Sequence, residues 1–299
     1  MAQYKYLDVE TLGRIGSMQM LAKGVVEGFI LGLHRSPYRG FSVEFAEYRQ
    51  YVPGDDIKHL DWKVFGKCDR YYLKQFEEET NLACHILVDS SPSMGYKGDG
   101  AQWSKLEYAC RMAACLSYLT LGQRDATGLM VFDDQIREKL PARGSPAHRQ
   151  LLFSTLDNVT PGSGDTDLAG PMHVLAESLG KRGMIILITD LLDDPLKVLG
   201  AVQHFRFAGH EVIVFHVMDN DEINFPFDAM TQFTDTETKE EALVAPQAAR
   251  AQYLEEFDQF FGSYRTGFAS LGVDYKMMNT SASLELALRE YLHRRSRLF

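Results

Sequence analysis

Cysteine is scarce in this sequence, with four residues in a chain of 299. Cys68, Cys84, Cys110 and Cys115 form no Cys-x-x-Cys pair, which argues against a zinc ribbon or a dithiol redox motif. Cys84 falls in a predicted strand, and Cys110 and Cys115 fall in a predicted apolar helix. This placement is typical of buried thiols in a reducing compartment.

Long apolar runs are missing as well. Met1 to Arg14 has no apolar core of the kind found in signal peptides. The most apolar early stretch, Val25 to Leu33, contains Glu27 and is too short to span a bilayer. Together with the cysteine usage, this predicts a cytoplasmic protein without a membrane span.

Positive charge is also in short supply, because 31 Lys and Arg residues face 41 Asp and Glu residues. The formal net charge of -10 gives no electrostatic attraction to nucleic acid or to anionic lipid. We therefore expect no nucleic-acid partner.

Three common catalytic signatures are absent from the sequence. It has neither the Gly-x-Ser-x-Gly of α/β-hydrolases nor the Gly-x-x-x-x-Gly-Lys-Ser/Thr of P-loop proteins. Phosphatases of the haloacid dehalogenase type need a second Asp two residues after the first, where Ser91 follows Asp89 here. His85, four residues before Asp89 in a predicted strand, is expected to be a core or edge residue rather than a general base.

An oxygen-rich loop after a buried strand is the most informative feature that the chain does have. Ile86 to Val88 is apolar and rich in β-branched residues, which indicates a buried strand. Asp89, Ser91 and Ser93 then follow at alternate positions. Ligands bind at the carboxyl ends of strands in open α/β sheets, and such oxygens suit Mg²⁺, Mn²⁺ or Ca²⁺. Taken alone, the pattern is equally typical of an Asx or Ser turn that caps the next helix.

Two later segments carry side chains of the same kind. Thr166 lies between Asp165 and Asp167 in a glycine loop before a predicted helix. Asp190 directly follows a second buried strand, Met184 to Thr189. Three oxygen-rich loops, two of them at strand ends, are more than capping alone requires.

Predicted strands alternate with predicted helices from about residue 81 onward. This order indicates right-handed βαβ units and a doubly wound, mainly parallel α/β sheet of the Rossmann-like kind. The alternation breaks at about 219–247, where we predict an inserted hairpin or loop. The predicted organisation is therefore an N-terminal helical and signature-segment extension over 1–80 and an α/β domain over 81–299.

The strand-end pattern resembles the von Willebrand factor A fold with its metal-ion-dependent adhesion site. The resemblance implies one divalent cation, Mg²⁺ in the first place, with Mn²⁺ or Ca²⁺ as alternatives. It also implies a shallow site at which a partner protein completes the coordination shell with a carboxylate. That family often has glycine after the last Asp, where this chain has Leu191. The implied ligands are five side chains: Asp89, Ser91, Ser93, Thr166 and Asp190.

The segment before the domain makes the resemblance more specific. Glu44 to Asp56 reads Glu-Phe-x-x-Tyr-Arg-x-Tyr-x-Pro-Gly-Asp-Asp, and Asp61-Trp62 follows. This is similar to the signature of the bacterial family called domain of unknown function 58. Lys58 and Leu60 stand where that family commonly has Arg and Ile. Many members are similar to proteins encoded beside an AAA+ ATPase of the MoxR type, which the resemblance implies as a candidate partner.

Two roles remain open for the Pro-Gly-Asp-Asp segment, and two for the chain as a whole. The segment either seals an edge of the sheet, with Trp62 as a packing anchor, or forms a partner surface beside the metal loop. For the chain we predict a non-enzymatic, metal-dependent protein-interaction module. It would be an adaptor that works with a MoxR-type ATPase in the assembly or maturation of protein complexes. The alternative is a metal-assisted hydrolase that uses the same oxygen cluster.

Overall fold

A computed structural model describes residues 42–50, 72–79, 83–123, 125–163, 167–180, 182–235, 240–284 and 287–288. These residues fall into two compact units, one within 34–82 and the other beginning at Ala83. The helices predicted over 8–33, the Pro-Gly-Asp-Asp segment and Trp62 lie outside the described residues.

The first unit contains an antiparallel pair of strands. Strand β1 (Ser42–Gln50) pairs with β2 (Tyr72–Glu79), and the register shifts between Phe45 and Glu47. A shift of this kind is a β-bulge, in which one strand carries an extra residue. The bulge therefore falls inside the first half of the family signature.

A six-stranded sheet forms the centre of the second unit, in the order β10-β7-β6-β3-β4-β5. Neighbouring strands are parallel except for β4 and β5, which pair antiparallel at one edge. The predicted doubly wound, mainly parallel α/β fold is thus confirmed. The strands are β3 (Ala83–Asp89), β4 (Ala126–Phe132), β5 (Ile136–Arg143), β6 (Met184–Thr189), β7 (Glu211–Met218) and β10 (Asp274–Asn279).

Helices cover both faces of this sheet. They are α1 (Lys105–Gly122), α2 (Pro146–Asp157), α3 (Ala169–Ser178), α4 (Pro195–Phe207) and α6 (Pro246–Ser270). One buried cluster joins Leu87 of β3 to side chains of α3, α4 and α6. Ile86 and Val88 are equally buried and point to the opposite face, because successive side chains in a strand alternate. The four central strands are therefore apolar almost throughout, as expected for strands covered on both faces.

The strand order reverses beside β3. The chain leaves β3 through α1 to β4 on one side, and later returns to β6 on the other side of β3. A crevice at the carboxyl ends of the strands forms where the connections diverge in this way, and it is the usual ligand site of open α/β sheets. In the first of these connections, a short 3-10 helix (Pro92–Gly95) lies between β3 and α1.

The segment predicted as an inserted hairpin or loop contains a short helix and a hairpin. Helix α5 (Asn220–Asn224) is followed by β8 (Thr231–Thr234) and β9 (Glu241–Val244), which pair antiparallel. No helix among the described residues combines the length and the apolar character that crossing a membrane requires.

Candidate functional site

Asp89 and Asp190 lie side by side at the switch point of the sheet. Asp89 is the last residue of β3, Asp190 follows the last residue of β6, and the two strands are paired in parallel. Neither side chain has exposed surface. The sheet topology therefore brings together two carboxylates that are far apart in the sequence.

The carboxylate of Asp89 is held by hydrogen bonds from the loop that follows β3 and from β6. Its Oδ1 accepts a hydrogen bond from the backbone N–H of Ser91 at 2.8 Å, and its Oδ2 accepts one from the Thr189 hydroxyl at 2.6 Å. Burial and the negative charge of Asp190 nevertheless raise the pKa of Asp89 above its usual range. A cation beside Asp89 would relieve this unfavourable environment, because opposite charge favours the ionised form of a carboxyl group.

Two serine hydroxyls connect the carboxylates. Ser91 Oγ and Ser93 Oγ are 3.1 Å apart, and Ser93 also hydrogen-bonds to the carboxylate of Asp190. Pro92 is the first residue of the 3-10 helix, and its fixed φ favours the turn that places both hydroxyls on one side. The structure thus brings together four of the five predicted ligands. Thr166 lies outside the described residues.

The cluster is deeper than the shallow site that the sequence predicted. Ser91 has no exposed surface, and Ser93 is 8% exposed. The reason is that hydrogen bonds fold the loops over the strand ends: Gly162 donates its N–H to the carbonyl of Ser90 at 2.6 Å. Ser93 is therefore the most accessible of the four side chains.

Lys105 is a residue of this site that sequence reasoning missed. Its ammonium group lies 2.8 Å from Asp190 Oδ2 and 2.6 Å from Glu222 Oε1, and its side chain has no exposed surface. Burial would lower the pKa of Lys105, but the two carboxylates raise it above its usual value. In turn, burial would raise the pKa of Asp190, but the charge of Lys105 holds it below its usual range. Both groups of the pair are therefore charged.

Lys105 is placed by the capping of α1. Ser104 precedes it and accepts a hydrogen bond from the backbone N–H of Glu107 at 3.1 Å, while Glu107 Oε2 accepts one from the N–H of Ser104 at 3.1 Å. This capping box fixes Lys105 as the first helical residue. A cation is disfavoured there by the helix macrodipole. A lysine at the first helical position, directly after a capping serine, therefore indicates that acidic side chains lie nearby in the fold.

His216 supports the backbone behind Asp190. Its Nε2 donates a hydrogen bond to the carbonyl of Asp190 at 2.7 Å, because a carbonyl only accepts, and its Nδ1 accepts one from the Tyr275 hydroxyl at 2.8 Å. The ring also stacks on Phe261 at 4.5 Å. Burial lowers the pKa of His216 to about 4, so the ring is neutral. With both ring nitrogens engaged, His216 orients the loop and offers no general base to the cluster.

The other acidic side chains near these loops have structural roles. Asp193 Oδ2 accepts a hydrogen bond from the N–H of Leu168 at 3.0 Å, which joins the loop after β6 to the start of α3. Asp194 caps α4 by accepting from the N–H of Leu196 at 2.9 Å.

A cavity of about 490 Å³ lies beside the loop that follows β3. It is bounded by the turn between β4 and β5, the end of α2 and residues 159–163, and Ser90 lines its wall. Within it, the guanidinium of Arg137 contacts the buried carboxylate of Asp133 at 2.7 Å. The cavity therefore places a partly polar space beside Ser90, the residue that precedes Ser91 in the loop.

The donor set fits a hard divalent cation. Among the described residues, no group of three or more His, Cys, Asp or Glu side chains is arranged to hold a metal ion. An ion at this edge of the sheet would therefore depend on the hydroxyls of Ser91 and Ser93 together with Asp89. Neutral hydroxyl and carboxylate oxygens are ligands that Mg²⁺ and Mn²⁺ accept.

Comparison with known proteins identifies the family. The family model described as "Protein of unknown function DUF58" matches residues 47–259. The chain belongs to this family. Uncharacterized proteins of Mycobacterium bovis and Mycobacterium tuberculosis are 25% identical to it over 221 residues, which is 73% of this chain and 68% of theirs. The resemblance to domain of unknown function 58 is thus confirmed. The mycobacterial relatives of this DUF58 protein are themselves described as uncharacterized.

Solved structures with a similar fold include BatB from Bacteroides thetaiotaomicron and the SpRpn10 VWA domain. BatB is 16% identical with a TM-score of 0.45, over 72% of this chain and 99% of its own. The SpRpn10 VWA domain is 12% identical with a TM-score of 0.40, over 69% of this chain and 92% of its own. The predicted doubly wound, mainly parallel α/β sheet is established by the strand order of the DUF58 protein itself.

The predicted cytoplasmic location needs correction. One similar structure is an aerotolerance-related membrane protein from Bacteroides fragilis, 18% identical over 73% of this chain and all of its own, with a TM-score of 0.47. Another is an uncharacterized membrane spanning protein from Vibrio fischeri, 17% identical over 72% of this chain and 98% of its own, with a TM-score of 0.25. These descriptions contradict the prediction, which rested only on cysteine usage and on the absence of a signal core.

Proposed function

We propose that this DUF58 protein is a non-enzymatic, metal-dependent protein-interaction module. The observation that carries the proposal is the cluster of Asp89, Ser91, Ser93 and Asp190 at the switch point of a von Willebrand factor A-like sheet. The nearest buried histidine, His216, is neutral and engaged elsewhere. Oxygen ligands without a general base suit the binding of an ion better than the activation of water.

Each side chain has a distinct part in this proposal. Asp89 supplies the charged ligand, and Ser91 and Ser93 supply neutral oxygens, with Thr166 as a further proposed hydroxyl. A bound divalent cation, Mg²⁺ in the first place, would supply a positive centre that a carboxylate of the partner completes. Because the hydroxyls are neutral, they leave the ion most of its charge for that carboxylate.

The proposed partner is a protein that presents an Asp or Glu side chain at its surface. The family resemblance favours an AAA+ ATPase of the MoxR type, with this protein as its adaptor in the assembly or maturation of protein complexes. The polar cavity beside Ser90 offers room for the partner's side chains next to that carboxylate.

Calorimetric titration with Mg²⁺ and Mn²⁺ tests the metal site. The parent protein should bind one ion, and both Asp89→Asn and Ser93→Ala should reduce the affinity at least tenfold. Ser263→Ala is the control, because this exposed hydroxyl on α6 contacts only a carbonyl of its own helix. Equal affinity in the parent and in Asp89→Asn would remove the metal site from the proposal.

Pull-down of partners from source cells tests the interaction. The partner should be retained in Mg²⁺, lost with a chelator and lost in Asp89→Asn. Retention that survives both changes would make the oxygen cluster a capping network. Hydrolysis of phosphoesters or peptides by the purified protein, lost in Asp89→Asn, would instead support the hydrolase.

A further inference from the structure

A lysine ammonium already occupies the position of a cation beside Asp190. Lys105 Nζ is 2.8 Å from Asp190 Oδ2, and both side chains are fully buried. Ser93, a proposed metal ligand, hydrogen-bonds to the same carboxylate. The fixed charge of Lys105 therefore stands one side chain away from the proposed metal ligands.

The charges of the cluster show what this ammonium does. Asp89 and Asp190 together would give a metal ion two buried carboxylates. Lys105 compensates the second of them, so of the two aspartates only Asp89 would present an uncompensated charge to the ion, beside two neutral hydroxyls. A pair of carboxylates of which one is compensated attracts a divalent cation less strongly than a pair in which neither is.

We propose that Lys105 is a positioning residue that holds Asp190 out of the metal's coordination shell as its built-in counter-cation. This inference rests on the proposed function of the same site. It explains how Asp190 remains ionised at complete burial, and it keeps the charge of the ion available for the partner's carboxylate. Lys105 would thereby lower the affinity of the site for the metal, so that stable metal binding depends on the partner's carboxylate.

Glu222 extends the same arrangement. Its Oε1 lies 2.6 Å from Lys105 Nζ, and its backbone carbonyl accepts a hydrogen bond from the Tyr253 hydroxyl at 2.8 Å. Glu222 thus shares the ammonium with Asp190 and is itself fixed to α6. Because it takes up part of the positive charge, Glu222 should weaken the repulsion between Lys105 and a metal ion.

A purely structural ion pair and a counter-cation predict different results. Loss of a structural pair lowers stability and leaves metal affinity unchanged or lower. Loss of a counter-cation raises metal affinity, because Asp190 is then free to attract the ion. The sign of the change in affinity separates the two interpretations.

Calorimetric titration of Lys105→Met with Mn²⁺ supplies this test. We expect binding at least about tenfold tighter than in the parent, and a larger rise in Tm on adding Mn²⁺ because the metal then stabilises two carboxylates. Lys197→Met is the matched control, since Lys197 is an exposed lysine in the first turn of α4 and should bind Mn²⁺ as the parent does.

Glu222→Gln gives the opposite prediction and also covers the case in which Lys105→Met fails to fold. With Glu222 neutral, Lys105 repels the ion more strongly, and Mn²⁺ should bind about threefold more weakly. Mn²⁺ binding that is unchanged or tighter in Glu222→Gln would overturn the inference. So would a folded Lys105→Met that binds no more tightly than a parent that does bind.

The two proposals fail in different ways. A parent that binds no Mn²⁺ while Lys105→Met does would overturn the proposed function of the parent site, yet it would support Lys105 as the counter-cation. Absence of binding in both proteins would overturn both proposals.

Discussion

Leu191 adopts a backbone conformation that residues other than glycine rarely take. Its φ is 55°, which lies in the left-handed region and costs an L-residue roughly 1–2 kcal/mol. Its side chain belongs to the core cluster and has no exposed surface, and its carbonyl accepts a hydrogen bond from Tyr264 at 3.0 Å. Burial thus offsets the strain at the position where the family that the strand-end pattern resembles often has glycine.

This balance predicts an unusual order of stability among variants of Leu191. Both Leu191→Ala and Leu191→Gly lose the buried side chain, at roughly 2–5 kcal/mol. Leu191→Gly also relieves the strained backbone, so it should be about 1 kcal/mol more stable than Leu191→Ala. Urea denaturation of the three proteins measures the difference. An alanine variant as stable as the glycine variant would mean that the backbone leaves the left-handed region once the leucine is gone.

At the scale of elements, aromatic contacts tie the inserted hairpin to α6. Phe225 follows α5 with a φ of 46°, and its ring lies 4.5 Å from that of Tyr253 and 5.6 Å from that of Phe233 on β8. Phe227 packs edge-on against Phe233 at 5.2 Å. A two-stranded hairpin is only marginally stable by itself, so these rings are what should hold β8 and β9 in place.

Phe233→Ala should therefore loosen the hairpin without unfolding the sheet. We expect faster amide hydrogen exchange across β8 and β9, with unchanged protection in β3 and β6. Leu243→Ala is the matched control, because Leu243 lies on β9 and is 70% exposed. Mass spectrometry of peptic fragments resolves the two regions. Equal exchange of β8 in Phe233→Ala and in the parent would show that other contacts hold the hairpin.

At the scale of the whole molecule, sequence periodicity predicted the sheet and part of the site. The carboxyl ends of parallel strands meet at one edge of a sheet, so the apolar runs that end in Asp89 and Asp190 indicate that both carboxylates lie at that edge, and the family resemblance groups them in one site. Lys105 was missed because its ion pairs join residues 85 and 117 positions apart. The burial of the site was also missed. Burial at a strand end depends on how the loops pack, and sequence periodicity carries no information about loop packing.

Buried histidines make the stability of the whole molecule sensitive to acid. Burial, followed by repulsion from His210 when that ring is protonated and from Lys139, lowers the pKa of His85 to about 4. Burial also lowers the pKa of His210, whose Nδ1 accepts a hydrogen bond from the N–H of Gly183 at 3.1 Å. His216 has a pKa of about 4 for the same reason. All three rings therefore bind a proton less readily in the folded protein than in the unfolded chain.

The sign of the pH dependence follows from these shifts. A histidine whose pKa in the folded protein lies below its unfolded value of about 6.5 does not change the free energy of unfolding above that pH. As the pH falls from 6.5 to about 4, it lowers the free energy of unfolding progressively. We therefore expect the free energy of unfolding to decline over this interval.

His85→Gln should remove up to about 3 kcal/mol of this decline, and less to the extent that solvent screens the partly exposed ring. Urea denaturation of both proteins between pH 7.5 and pH 4.5 measures the difference, with the window set by these pKa values. Because His85 lies near the amino-terminal edge of β3, far along the strand from Asp89, the substitution should leave Mn²⁺ binding at neutral pH unchanged. Parallel stability curves for the two proteins would show that His85 is protonated equally in the folded and unfolded chains.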